Sequence, residues 1–304
     1  MKIINFGSLN IDYVYSVTDF VSPGETILAS KMEIFPGGKG LNQSIAAARA
    51  GAAVLHAGTV GRGGRFLKDT LAASEVDVSH LLESDAENGH AIIQINDNRQ
   101  NAIIVFGGSN QCLNDLYIEK ILAAAGPDDI ILLQNEVNGI ESIIRRAHDS
   151  GLKIAFNPSP FPLNPNQLPF ELVDFLIVNE IEGAQLAQLS PETTYRKIAE
   201  RLHSLFAHAT VVLTCGTHGV LCYGESWDIF QEIFVVEAID TTAAGDTFCG
   251  YFLAGLARGM SIQKCLKTAS AASAITVTRP GAAPSIPTMR EVEEFLIQYS
   301  NTNP

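Results

Sequence analysis

The sequence predicts an α/β fold, with a mostly parallel central sheet, helices on both faces, and a small antiparallel β lid. Three observations carry this. From about Ala52 onward, apolar runs rich in β-branched residues alternate with amphipathic segments of helical length, the rhythm of βαβ units. Ile11–Phe35 and His90–Phe106 break that rhythm with short strand-like stretches. The chain has 304 residues, 46% hydrophobic and only 17% charged. A chain of that length buries roughly 75% of its unfolded surface, so its core needs no disulfide or metal.

The elements follow in order. Ile3–Phe6 is a strand whose apolar run breaks at Asn5 and ends at Gly7. Gly37–Ser44 is a glycine-rich loop leading into a helix over Ile45–Ala50, stopped by Gly51. Ala53–Val60, Asp129–Gln134, Leu152–Asn157, Phe175–Val178 and Thr210–Thr214 read as buried strands. Arg65–Ser74, Gly139–Ser150 and Thr193–Phe206 space apolar residues three and four apart, as surface helices do. His-Ala-Ile-Ile-Gln-Ile and Asn-Ala-Ile-Ile-Val-Phe flank the polar turn Asp97–Gln100, which predicts a hairpin over 90–106. Ile233–Ala238 is strand-like and precedes a helix running toward Gly259. No repeat or linker marks a boundary, so 1–304 reads as one domain whose lid comes from about 11–35 and 90–106.

Charge and cysteine usage narrow the function. With 33 acidic against 20 basic side chains, the net charge of −13 argues against nucleic acid or an anionic membrane as partner. Cys112, Cys215, Cys222, Cys249 and Cys265 are odd in number and show no CxxC spacing, so reduced core thiols are expected. No segment approaches the ~18 apolar residues of a membrane span, and a cytoplasmic protein is expected.

Two glycine-rich elements carry chemistry. In Asp240-Thr-Thr-Ala-Ala-Gly-Asp-Thr-Phe-Cys-Gly250, the small residues Ala243, Ala244 and Gly245 let backbone N–H groups converge at a helix start, where donors and dipole bind an anion. Asp246 follows, placing a carboxylate where an attacking hydroxyl can give up its proton. The competing reading is an Asp N-cap with small residues that allow close packing. In Gly37-Gly-Lys-Gly-Leu-Asn-Gln-Ser44, glycines let amides approach a polyhydroxylated ligand while Lys39 and Asn42 offer directional hydrogen bonds. A tight turn entering a helix is the alternative there. Neither this element nor Gly61-Arg-Gly-Gly-Arg fits a Walker loop or a dinucleotide fingerprint.

Together these elements resemble the two motifs of the ribokinase-like (PfkB) carbohydrate kinases, whose fold is a sandwich of the predicted kind. Gly7-Ser-Leu-Asn-Ile-Asp12, Gln134-Asn-Glu136, Asn157-Pro-Ser-Pro160, Asn179-Glu-Ile-Glu182, Thr214-Cys-Gly-Thr-His-Gly219 and Thr278–Pro287 follow in family order. The resemblance covers nearly the whole chain. It implies that Asn10, Asp12, Gly38, Lys39, Asn42 and Glu136 hold a sugar, with Asp246 as base toward its primary hydroxyl. It implies an anion hole from Ala243, Ala244 and Gly245, and a nucleotide site from Asn179, Thr214, Cys215, Gly216, Thr217, His218, Gly219, Gly245 and Ser270.

Asn179 and Glu182 match the family's magnesium-phosphate motif, and their spacing is also that of a helix capping box. Asp240, Thr242, Thr276, Arg279, Gly281 and Ser285 correspond to a site for a monovalent cation, K⁺. The expected reaction is transfer of phosphoryl from Mg²⁺–ATP to the 5-hydroxyl of ribose, in a homodimer paired through the lids. Deoxyribose, adenosine or fructose as acceptor, and a non-catalytic sugar sensor, are the competing readings. Two departures stand out: Gly63 replaces a common acidic residue, and Tyr251 replaces a small one and asks for room inside the helix packing.

Overall fold

The computed structural model describes residues 1–98 and 100–302. β1 (Ile3–Phe6) leads into β2 (Asn10–Ser16) and its antiparallel partner β3 (Lys31–Gly37). α1 (Lys39–Arg49) returns the chain to β4 (Val54–Ala57), parallel to β1. β5 (Thr59–Arg62), α2 (Arg65–Ala73) and β6 (Leu82–Glu87) make a two-stranded side unit. The antiparallel pair β7 (His90–Ile95) and β8 (Asn101–Phe106) comes next. The parallel core continues through α3 (Asp115–Ala123), β9 (Ile130–Gln134), α4 (Ile140–Asp149), β10 (Lys153–Asn157) and β11 (Phe175–Asn179). α5 (Glu180–Ala187), α6 (Tyr195–Leu205) and β12 (Thr210–Thr214) extend it to the antiparallel edge strands β13 (Val220–Gly224) and β14 (Trp227–Gln231). α7 (Ala244–Ala257), α8 (Ile262–Val277) and α9 (Met289–Thr302) close the chain.

The eight-stranded sheet runs β14-β13-β12-β11-β10-β9-β1-β4. Its continuous apolar strands are buried on both faces, as a parallel sheet between helices demands. One face packs Ile3, Ile130, Leu132 and Val212 against α1, α7 and α8, and the other packs Ile4, Ile131 and Leu213 against the helices opposite. α1 and α7 touch closely at Gly250, where a Cβ would lie 2.5 Å from the Ala46 methyl. Tyr251 fits beside this contact, fully buried, because its hydroxyl donates to the Pro287 carbonyl at 2.8 Å. The four-stranded sheet runs β3-β2-β7-β8: the expected β7–β8 hairpin and an antiparallel β2–β3 pair, for which only short strands were expected, joined by a parallel β2–β7 pairing. Arg99, in the expected turn of the second hairpin, lies outside the described residues, as do 303 and 304.

Several boundaries differ from expectation. Ala53–Val60 is not one strand: the chain leaves the large sheet at Gly58, where a Cβ would lie 2.7 Å from the Gly7 carbonyl oxygen, and β5 pairs with β6 instead. Ile233–Ala238 is irregular because β14 already occupies the sheet edge, and Phe234 packs on Phe295 and Tyr299 of α9. α1 begins at Lys39 rather than Ile45, so Lys39 and Asn42 stand on its first turns. Cys112 is exposed, while the other four cysteines are buried thiols. Among the described residues, no helix is long and apolar enough to cross a membrane.

Candidate active site

Five adjacent strands of the large sheet end alike on the α1/α7 face. An apolar residue is followed two positions later by a polar one: Ile3 and Asn5, Leu132 and Gln134, Ala155 and Asn157, Ile177 and Asn179, Val212 and Thr214. Residues two apart share a strand face, so these form a polar row along the carboxyl edge, where open α/β sheets hold their sites.

Above one end of this row sits the glycine-rich start of α1. Gly38, its N-cap, has φ 95, and Gly40 approaches so closely that a Cβ would lie 2.2 Å from Ser8 N. The Asp12 carboxylate covers Gly37, where a Cβ would strike its Oδ2 at 2.0 Å. Glu136, just past β9, accepts from Lys39 N at 2.9 Å and from the Ser8 hydroxyl. Asn10 Oδ1 accepts from Asn110 Nδ2 at 2.7 Å, which leaves its NH₂ as the group to offer a ligand. Asp246, Glu136 and Glu182 thus act on Lys39, and Glu136 and Asp246 act on Asp12. Burial, then Glu136 and Asp246, push the Asp12 carboxyl up to about 7. Burial likewise raises Glu136, against the pull of Lys39 and the Ser8 hydrogen bond. For Lys39, burial disfavours the ammonium, but Asp246, Glu136 and Glu182 together outweigh it and hold the group above the ordinary lysine range.

Asp246 is the third residue of α7, buried, and its carboxylate does not cap the helix. Its Oδ2 accepts from Asn42 Nδ2 at 3.1 Å and its Oδ1 from Gln43 Nε2 at 2.9 Å. Asn42 Oδ1 is buried without a hydrogen-bond partner. The N-cap is instead Ala243, held at φ 59 in the left-handed region, a strained conformation for a residue with a Cβ. The first intrahelical bond runs from Thr247 N to Ala243 O at 2.8 Å, so the N–H groups of Gly245 and Asp246 lie free of carbonyls in the helix. Gly245 faces open space, and Ser273 of α8 braces the turn by donating to Ala244 O at 2.7 Å. Oriented donors, a helix dipole and an adjacent buried carboxylate suit binding of an anion beside a proton acceptor.

Farther along the row, Asn179 and Thr214 are register partners at the ends of β11 and β12. Asn179 and Glu182 form the capping box: Asn179 Oδ1 accepts from Glu182 N at 2.8 Å, and Glu182 Oε2 from Asn179 N at 3.2 Å. Cys215–Gly219 makes the β12–β13 hairpin turn, with Gly216 at φ 53 and Gly219 at φ 115. Thr217 and His218 lie in that turn. Ser270 stands half-buried on α8. Behind α7, Asp240 Oδ1 accepts from Thr242 N and Oγ1 at 2.9 and 2.6 Å, and Oδ2 from Gly281 N at 2.8 Å. Burial of Asp240 is outweighed by these donors, which hold its carboxyl below the ordinary range. Thr276 O accepts from Arg279 N at 3.1 Å, the Arg279 guanidinium pairs with Glu291 at 2.7 Å, and the Ser285 hydroxyl donates to Ala282 O. Among the described residues, no three His, Cys, Asp or Glu side chains cluster as metal ligands.

A family model for pfkB family carbohydrate kinases matches residues 1–289. The chain belongs to the pfkB family. It is 35% identical to the ribokinase of Haemophilus influenzae over 297 residues, covering 95% of this chain and 96% of the relative. It is 32% identical to the ribokinase of Staphylococcus aureus, covering 96% and 99%. Among solved structures, the ribokinase of Cryptococcus neoformans in complex with ADP superposes with a TM-score of 0.84 at 31% identity, covering 96% and 99%. Arabidopsis thaliana ribokinase, complexed with ribose and ATP, superposes at 0.85 and 27% identity, covering 97% and 98%. For this pfkB kinase, sequence reasoning missed Ser8, Gln43, Asn110 and Ser273. Ser8 and Gln43 lie inside the motifs quoted above. Asn110 and Ser273 lie outside them and offered no local signal.

Proposed function

We propose that the protein transfers the γ-phosphoryl group of ATP to the 5-hydroxyl of D-ribose, giving ribose 5-phosphate and ADP. The observation that carries this is the Asp246 carboxylate, fixed by two amides of α1 at the open first turn of α7. In this reading Asp246 takes the hydroxyl proton as the oxygen attacks phosphorus. The free amide of Gly245, with those of Ala243 and of Ala244, whose N–H is shared with Thr241 O at 3.3 Å, stabilises charge on the transferring group. Asn10, Asp12, Gly38, Lys39, Asn42 and Glu136 hold the sugar, and the unpartnered Asn42 Oδ1 is an acceptor ready for one of its hydroxyls. Asn179, Thr214–Gly219 and Ser270 line the nucleotide.

Asn179 and Glu182 offer few protein oxygens, which suits Mg²⁺, an ion that keeps waters and substrate phosphates as its other ligands. When bound, it would neutralise phosphate charge. Asp240 with the oxygens of Thr242, Thr276, Arg279, Gly281 and Ser285 is an oxygen-only set suited to K⁺; the Arg279 guanidinium is paired with Glu291, and that of Arg49 is held by the carbonyls of Ala283 and Ile286. The four-stranded sheet acts as a lid that excludes water, and its exposed face of Ile34, Ile92, Ile104 and Phe106 pairs with a second copy. Asp246→Asn is expected to lower kcat by ~10²–10⁴-fold with an unchanged circular-dichroism spectrum. Turnover near wild type would remove Asp246 from the role of base.

A further inference from the structure

From Asp246 to the far side of β1 runs an unbroken string of buried side-chain hydrogen bonds that sugar and nucleotide binding leave unexplained. Gln43 Nε2 donates to Asp246 Oδ1 at 2.9 Å, and Gln43 Oε1 accepts from Gln134 Nε2 at 2.8 Å. Gln134 Nε2 also donates to Asn5 Oδ1 at 3.0 Å, and Asn5 Nδ2 donates to Gly40 O and Ser44 Oγ, both at 2.8 Å. Ser44 Oγ lies 2.8 Å from His56 Nδ1, and His56 Nε2 lies 3.1 Å from Gly7 O.

The two ends set the direction of every bond. A carboxylate only accepts, so Gln43 must turn its NH₂ toward Asp246. A carbonyl also only accepts, so His56 carries its proton on Nε2 and takes the Ser44 hydroxyl hydrogen on Nδ1. Burial pushes the His56 imidazole down to about 4, consistent with this neutral tautomer.

Stability does not account for the string. Asn5, Gln43 and Gln134 are at most 1% exposed and lie among Ile and Leu of β1 and β9. Among the described residues Gln134 Oε1 has no hydrogen-bond partner, a desolvation that an apolar residue of the same shape would avoid. What the arrangement achieves is one donor from α1 on each oxygen of Asp246: Asn42 on Oδ2 and Gln43 on Oδ1. It holds Gln43 in that pose from behind.

We infer that Gln43, oriented by Gln134, is a positioning residue that aims the Asp246 carboxylate. The inference rests on Asp246 being the base, as proposed above. Lys39 from α1, Asp12 from β2, Glu136 after β9 and Cys249 of α7 are the other ionisable groups that face Asp246. The proton taken from the sugar stays on Asp246, and Gln43 keeps its own hydrogens.

Gln43→Met keeps the side chain's length and removes the donor. It should lower kcat by ~10–100-fold and leave KM for ribose and ATP within about twofold. Gln134→Met should lower kcat by less, again with KM kept, and add nothing further in the Gln43→Met background, because the two act as one unit. An unchanged kcat in Gln43→Met, a loss carried by KM instead, or an equal Gln134→Met effect in both backgrounds, overturns the inference. If Gln43→Met does not fold, the split between kcat and KM in Gln134→Met decides in the same way. Asp246→Asn separates the two levels. Retained turnover in that variant defeats the base assignment itself, whereas lost turnover beside an unchanged Gln43→Met kcat defeats the positioning role alone.

Discussion

At the residue scale, the proposed sugar end of the site is a contest between burial and charge. Its groups settle differently: Lys39 is held charged by Asp246, Glu136 and Glu182, whereas Asp12 is pushed up to about 7. Only ionised Asp12 accepts two sugar hydroxyls, and the ionised fraction falls as pH drops through about 7. Measured between pH 5.5 and 8.5 at saturating Mg²⁺–ATP, the KM for ribose should therefore rise toward low pH, approaching ~10-fold per unit well below 7. Asp12→Asn should raise KM and flatten that dependence. A flat wild-type KM would contradict the role given to Asp12. Lys39, Asn42 and Asp246 were legible in the sequence because each sits within a short glycine-rich motif whose chemistry is local, and Asp12 through the family resemblance that Gly7–Asp12 helps carry. Asn110 and Ser273 were not, because their partners, Asn10 and Ala244, lie 100 and 29 residues away and nothing in the flanking sequence announces them.

At the scale of elements, helices and central strands follow from periodicity, and their bounds agree within a residue or two wherever one pattern persists. The failures share a cause. Gly58 splits an apolar run because the backbone must pass close to Gly7, and Ile233–Ala238 loses its strand because β14 has taken the edge. Propensity describes a segment, whereas pairing depends on which neighbours are available. The parallel joint between β2 and β7 was invisible for the same reason, since its strands are separated by more than seventy residues of chain. That joint creates a face on which Ile34, Ile92, Ile104 and Phe106 are 52, 38, 65 and 50% exposed. A second copy is the proposed cover. Ile104→Glu should then turn a dimer into a monomer in sedimentation velocity and raise the KM for ribose, as the lid loses its support. An Ile104→Glu protein that still sediments as the wild-type dimer would place the interface elsewhere.

For the whole molecule, a net charge of −13 meets a polyanionic co-substrate. Screening over a Debye length of ~8 Å at physiological salt leaves the outcome to the local site. There the cationic side chains are few: Lys39 is enclosed by carboxyls, and the Arg279 guanidinium is committed to Glu291. The positive potential is left to the first turn of α7, with its strained Ala243 and open Gly245, and to bound cations. The large sheet sets this geometry, since its polar row places the sugar-side and nucleotide-side residues along one carboxyl edge. Sugar-dependent phosphoryl transfer is checked by incubating the protein with Mg²⁺–ATP and either D-ribose or 2-deoxyribose, then measuring ADP alongside ³¹P spectra of the sugar product. Equimolar ADP and ribose 5-phosphate, negligible ADP without sugar, and a higher kcat/KM for ribose than for deoxyribose are expected. Ribose binding without ADP formation, or ADP release indifferent to the sugar, would contradict sugar-dependent transfer.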